Sequence, residues 1–229
     1  DHLARLKLPM HMTRTARAFL SSLADGLGGP QAVGLRALMS AGSQVGSALI
    51  DHAVRDPGLA AELRAITHNT VTPTGLRAGV KINVIPTTAE ATLDCRTVPG
   101  VDSAELLREL QEALGDEARR LTFEVDSAAS GLEFDFDTPL FHVIGETLKR
   151  HDPAGIPVPF MLTGGTDAKH VAKLGTICYG FSPMRFAPGE RFSELVHGHN
   201  ERVAVDSLGW GVRVLYEVVS EFCCAAPRP

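Results

Sequence analysis

Three short stretches of this chain hold side chains whose types and spacing suit chemistry. His197-Gly198-His199-Asn200-Glu201 places two imidazoles and a carboxylate within five residues, the composition of a metal-ligand or acid/base site. The same residues also describe a surface His-x-His in which Asn200 caps the helix that follows. Thr163-Gly164-Gly165-Thr166-Asp167-Ala168 lies between an expected strand and an expected helix. Its glycines let backbone come close to a ligand, and N–H groups at a helix start favour an anion such as a carboxylate. A plain strand-to-helix turn with Asp167 as cap accounts for it equally well. It lacks the lysine and the spacing of a P-loop, which excludes a nucleotide-phosphate site. The third stretch is Lys81-Ile82-Asn83-Val84-Ile85-Pro86, followed by Asp94-Cys95-Arg96. Asn83 and Arg96 could project from one sheet, and a guanidinium suits a bidentate grip on a carboxylate. The alternative is an edge strand broken by Pro86, with a solvated arginine.

These residues need elements to hold them. Residues 13–24 read as a helix, with Ala16, Phe19, Leu20 and Leu23 at i, i+3, i+4, i+7 spacing, ended by Gly26, Gly28, Gly29 and Pro30. An Ala- and Leu-rich helical stretch covers 32–66, interrupted near Pro57-Gly58. Residues 67–76 and 84–98 turn β-branched, and Ala89, Ala91, Leu93 and Cys95 alternate with Glu90, Thr92, Asp94 and Arg96, the pattern of a half-buried strand. After Pro99-Gly100, an amphipathic helix opens at Ser103 and runs through Leu106, Leu107, Leu110 and Leu114; 121–125 reads as a strand. This order predicts an α+β domain with helices on one side of an antiparallel sheet. Residues 127–137 read as a hinge. Beyond it the pattern predicts a helix over 139–150, strands over 158–162 and 176–181, a helix over 168–174 and a long closing helix over 202–222. Together these form part of an α/β layer.

Composition narrows the function. The chain has 229 residues, 44% hydrophobic and 21% charged, with a formal net charge of -5. The sequence pI near 6.0 carries no basic footprint for nucleic acid. No window approaches the roughly 18 apolar residues of a membrane span, and no apolar h-region follows Asp1-His2-Leu3-Ala4-Arg5. Cys95, Cys178 and the pair Cys223-Cys224 form no C-x-x-C, which argues against a thiolate zinc site. Buried or tail thiols in a reducing cytoplasm are the expectation. A serine hydrolase is excluded by the lack of a G-x-S-x-G elbow.

Taken in order, Asn83-Val84-Ile85-Pro86 with Asp94-x-Arg96, then Gly164-Gly165-Thr166-Asp167-Ala168, then His197-x-x-Asn200-Glu201 with a closing helix resemble one family. It is the superfamily of zinc peptidases and deacylases that includes acetylornithine deacetylase, succinyl-diaminopimelate desuccinylase and aminoacylase, most closely its carboxypeptidase S-like branch. The resemblance runs from about residue 8 to residue 222. It implies an α/β fold in which residues 1–128 are an α+β lid or dimerisation domain without its N-terminal strand. Residues 129–229 would be the C-terminal part of an α/β catalytic domain. It further implies a homodimer formed through the lid and two zinc ions in the intact enzyme, with cobalt as a possible substitute. The implied substrate is a small N-acyl amino acid or peptide; nucleic acid and membranes are not implied partners.

By the same resemblance His197, rather than His199, is the last zinc ligand, and Asn83, Arg96, Gly165, Thr166 and Asp167 contact substrate. The departures are equally definite. The family's His-x-Asp-x-x-Pro motif, bridging Asp, and Glu-Glu pair with its general base are not found upstream of the lid, nor is the Gly-His-x-Ser motif. The expectation is therefore a fragment with one metal ligand and no catalytic base, inactive by itself. The rival expectation is a non-catalytic lid, dimerisation or binding module.

Overall fold

A computed structural model describes residues 6–187, 189–191 and 195–224. The opening residues Asp1–Arg5, read above for a signal peptide, lie outside the described residues. The chain divides into two compact units. One is Asp1–Glu133 with Pro159–Leu174, and the other is Phe134–Val158 with Gly175–Pro229. Among the described residues no helix is long and apolar enough to cross a membrane.

The first unit opens with four helices: α1 (Arg14–Leu27), α2 (Gly29–Ser40), α3 (Ser43–Ala53) and α4 (Pro57–Thr67). Helix α1 starts where the Thr13 side chain accepts from the Ala16 amide, and it stops at Gly28, whose φ of 63° suits a residue without Cβ. Asp56 caps α4 through the Leu59 amide, and Pro57 fits its first turn because that N–H would be unpaired anyway. The single stretch expected over 32–66 is thus three helices, with an additional break at Ala41-Gly42. Leu20, Leu35, Leu38, Ile50, Leu63 and Ile66 form the main core, with Phe19 packed against it. The Phe19 ring meets Phe160 edge-on at 5.5 Å.

Strands β1 (Thr70–Ala78) and β2 (Ala89–Arg96) follow and pair antiparallel, Thr70 opposite Arg96 and Ala78 opposite Ala89, with a bulge between Pro73 and Gly75. Of the alternating residues on β2, only Leu93 is even partly buried, so the half-buried face expected there is solvent-exposed. A two-stranded sheet has no further strand to cover it. Helix α5 (Ser103–Leu114) is capped by Asp102 through the Glu105 amide and buries Leu106, Leu110 and Leu114, with Glu109 among them. Val98 and Val101 join Leu106 and Leu8 in a second apolar cluster. A 3-10 segment, Gly115–Arg120, ends this stretch. Residues 121–125 are not a strand, and neither are 158–162 or 176–181. An extended segment counts as sheet only when a neighbour pairs its N–H and C=O groups, and these lack one among the described residues.

In the second unit α6 (Pro139–His151) packs with α8 (Val205–Cys224); the one-turn α7 (Ala168–Val171) belongs to the first unit. Arg150 reaches Glu217 at 2.7 Å and Glu221 at 2.6 Å, and His151 Nε2 lies 2.6 Å from Glu217 Oε2. Helix α8 buries Ser207, Trp210, Gly211, Val214 and Val218. Its remaining apolar residues, Val205, Leu208, Val212, Leu215, Val219 and Phe222, are exposed. They follow one another at steps of three and four, so α8 is apolar on two faces and only one is covered. The architecture as a whole is mixed α/β; the helices expected on one side of the antiparallel sheet do not cover the hairpin, whose strands are mostly exposed.

Candidate functional site

Arg96 ends β2, where the ladder puts it opposite Thr70. Its Nε and Nη2 lie 3.1 and 3.0 Å from Asp94 Oδ2, and its Nη1 donates to the Thr163 carbonyl at 3.3 Å. The structure therefore joins two of the three motifs: the guanidinium touches the residue directly before Gly164-Gly165. About half of the arginine side chain is open to solvent, so it can take a second anionic partner. In this geometry Asp94 and Thr163 orient the fork, and a carboxylate is what a planar donor pair recognises best.

Gly165, Thr166 and Asp167 are exposed and form the turn into α7. The Thr166 side chain accepts from the Ala168 amide at 3.3 Å, whereas Asp167 makes no side-chain cap. The capping role offered to Asp167 thus belongs to its neighbour. Asn83 lies in the turn at the hairpin tip, exposed, at the opposite end of β2 from Arg96. Eight strand residues separate the tip from the base, roughly 25 Å at about 3.3 Å per residue. Within one chain these two residues do not meet.

His197 lies in the second unit, exposed, in a turn where its φ is 60°. The Gly198 amide donates to the Leu195 carbonyl at 3.0 Å. Asn200 is not a helix cap, because α8 begins only at Val205; its carbonyl instead accepts from Arg202. Among the described residues no group of three or more His, Cys, Asp or Glu is placed to hold a metal. A catalytic zinc site needs about three protein ligands, and the described residues by themselves do not supply that set. The four cysteines carry no disulfide; Cys95, Cys223 and Cys224 are exposed rather than buried. Although Cys95 is exposed as a residue, partial desolvation of its sulfur, then the Asp94 charge, push the thiol pKa up, which leaves less thiolate and a poor nucleophile.

The sequence reading missed a polar cluster inside the first unit. Glu109, on α5, and Asn69, just before β1, are both buried. His11 Nε2 lies 2.7 Å from Glu109 Oε1, and Asn69 Nδ2 donates to Glu109 Oε2 at 2.7 Å. The Asn69 side-chain oxygen Oδ1 accepts from the Val98 amide at 2.9 Å. Nearby, His68 holds Thr67 Oγ1 at 2.9 Å and Ser47 Oγ at 2.7 Å. Burial lowers the His68 pKa, which favours the neutral ring. One signal in the sequence points to the cluster: Glu109 is a charged residue three places after Leu106, on the apolar stripe of its helix.

The first unit thus combines a helical layer, an exposed hairpin and an arginine at the hairpin's base. Residues 14–122 match the family model described as a peptidase dimerisation domain. The chain is a distant relative of the M20 family of zinc peptidases and deacylases. It is 31% identical over 159 residues to human N-fatty-acyl-amino acid synthase/hydrolase PM20D1, covering 68% of this chain and 31% of that protein. Mouse aminoacylase-1 is 28% identical over 159 residues, covering 68% of this chain and 37% of aminoacylase-1. An M20 family metallo-carboxypeptidase from Sulfolobus solfataricus superposes with a TM-score of 0.45 at 16% identity, over 93% of this chain and 55% of the other. The chain thus spans about a third of the length of the curated relatives it matches.

Proposed function

We propose that this chain supplies the lid and the C-terminal catalytic segment, residues 1–128 and 129–229, of a metallohydrolase of N-acyl amino acids or small peptides, in the carboxypeptidase S-like branch. The single observation that carries the reading is the Arg96 guanidinium set against Thr163 at the edge of the Gly164-Gly165 turn. In this reading Arg96 grips the substrate carboxylate, with Gly165, Thr166 and Asp167 lining the same pocket. Asn83, at the hairpin tip, serves the active site of the second subunit of a homodimer. The reaction is hydrolysis of an amide next to a free carboxylate. His197 contributes one zinc ligand in the complete enzyme, and the remaining ligands and the general base come from polypeptide outside this chain.

The two-faced apolar helix α8 supports that last point. A helix that is apolar all round belongs inside a larger core, and here Val205 is 83% and Val212 65% exposed. The test begins with the coding sequence upstream of Asp1, read for His-x-Asp-x-x-Pro and a Glu-Glu pair. The present chain and the extended one are then assayed on N-acyl amino acids with added zinc or cobalt. Activity is expected only in the extended form, and Arg96→Ala is expected to lower its kcat/KM about ten- to a hundred-fold, the loss of one charge-assisted contact. Unchanged kcat/KM would remove Arg96 from the site.

A second reading, a non-catalytic dimerisation module, is favoured by the lack of any metal-holding cluster among the described residues. Stoichiometric zinc after dialysis of the extended form, with its turnover abolished by His197→Ala, would exclude it.

A further inference from the structure

The cluster of His11 with the buried Asn69 and Glu109 touches none of the residues assigned to substrate, yet it is hydrogen-bonded to the base of the hairpin that carries Arg96. Asn69 directly precedes Thr70, the residue opposite Arg96, and its side chain accepts the Val98 amide two residues beyond Arg96. The Asn69 side chain therefore closes the open end of the hairpin as one more rung would. It is itself held from behind, because Glu109 Oε2 takes its amide at 2.7 Å. Glu109 is in turn fixed by His11 Nε2, and the His11 amide donates to the Thr67 carbonyl at 2.6 Å.

A carboxyl group is a poor way to fill this space. Leu106 and Leu110 on the same helix are apolar and buried, and replacing a buried polar group together with its partners by well-packed apolar residues is often neutral or stabilising. What Glu109 offers and a leucine lacks is two directional acceptors at fixed positions, both in use. We propose that Glu109, Asn69 and His11 are positioning residues. Together they lock the register of the hairpin base and so aim the Arg96 guanidinium at the Thr163 carbonyl.

The functional meaning of that aim rests on the substrate-grip reading of Arg96; the relay itself does not. With Nη1 on Thr163 and Nη2 on Asp94, rotation about the Arg96 Nε–Cζ bond is hindered. The nitrogen-15-labelled chain should show two resolved Nη signals for Arg96, assigned by their loss in Arg96→Lys.

In Asn69→Ala the two signals should merge, as in a solvated arginine, and exchange of the Val98 amide should speed up on the order of ten-fold or more, reflecting one lost hydrogen bond. Leu110→Ala, in the same helix face but outside the relay, should lower Tm while leaving both Nη signals resolved. Should Asn69→Ala not fold, Glu109→Gln keeps the shape and gives up one acceptor, and the Nη signals should broaden or merge in the same direction.

The proposal is overturned if Asn69→Ala or Glu109→Gln lowers Tm with the Arg96 signals unchanged, or if Leu110→Ala merges them equally. In an active extended enzyme, Asn69→Ala should raise KM with kcat nearly kept. Merged signals with an unchanged KM would leave the relay standing and sink the substrate-grip reading alone.

Discussion

Consider truncating two valines on α8, Val214 and Val212, each to alanine. Val214 is 0% exposed and Val212 65% exposed. Removing two methylene equivalents at Val214 forfeits about 1.6 kcal/mol of transfer free energy, at about 0.8 kcal/mol each. The residual cavity raises the total to roughly 2–3 kcal/mol. The same change at Val212 should stay within about 0.5 kcal/mol. For a chain of this size each kcal/mol moves Tm by about 2–4 °C, so Val214→Ala should melt roughly 5–10 °C lower.

The assay is intrinsic to the molecule. Trp210 is the single tryptophan of the chain and is 9% exposed, on the same covered face of α8, with the Arg185 guanidinium 4.5 Å from its ring centroid. Its emission therefore follows unfolding of the second unit. Equal costs for the two variants, or a larger cost at Val212, would refute the assignment of the covered face. In an extended enzyme that covers the second apolar stripe, Val212→Ala should become comparably costly.

Three further outcomes are expected. Gly211→Ala would put its Cβ 2.2 Å from the Pro183 carbonyl oxygen; the backbone overlap outweighs the gain in helix propensity, and about 1–3 kcal/mol should be lost by tryptophan emission in denaturant. Hydrogen bonds from Lys7, then Arg64, lower the Asp51 pKa from 3.8 to about 2. A depressed carboxyl stabilises above its unfolded pKa, so stability on the order of 1 kcal/mol, kept modest by the exposed cations, should fade between about pH 4 and pH 2 in wild type and not in Asp51→Asn. His68 is held below its usual 6.5 by burial; its contribution should be complete above pH 6.5 and decline as pH falls further, with the slope absent in His68→Gln and read from urea midpoints.

Much of the first unit was legible from residue order. Helix α1 follows the spacing of Ala16, Phe19, Leu20 and Leu23; Pro99-Gly100 and Ser103 mark the edges of β2 and α5. Local rules govern these, since periodicity, caps and turn residues act over a few positions. Arg96 was also legible as a carboxylate-binding candidate, because its type and its Asp94-Cys95-Arg96 setting are written in sequence. That it meets Thr163, 67 residues away, was not, and neither was the separation of Asn83 from it along the hairpin.

Tertiary structure alone decided which apolar residues become core. The sequence marks both stripes of α8 as apolar in the same letters, but α6 covers only the Trp210, Val214 and Val218 side. Likewise 121–125 and 176–181 have strand composition, but strands exist only where a partner's N–H and C=O groups complete the ladder. Glu109 is the sharpest case: its place on the apolar stripe of α5 marks it in the sequence, but its partners are not marked. It is buried because His11 and Asn69, 98 and 40 residues away in the chain, arrive at its two oxygens, and no local pattern encodes a meeting of three distant segments.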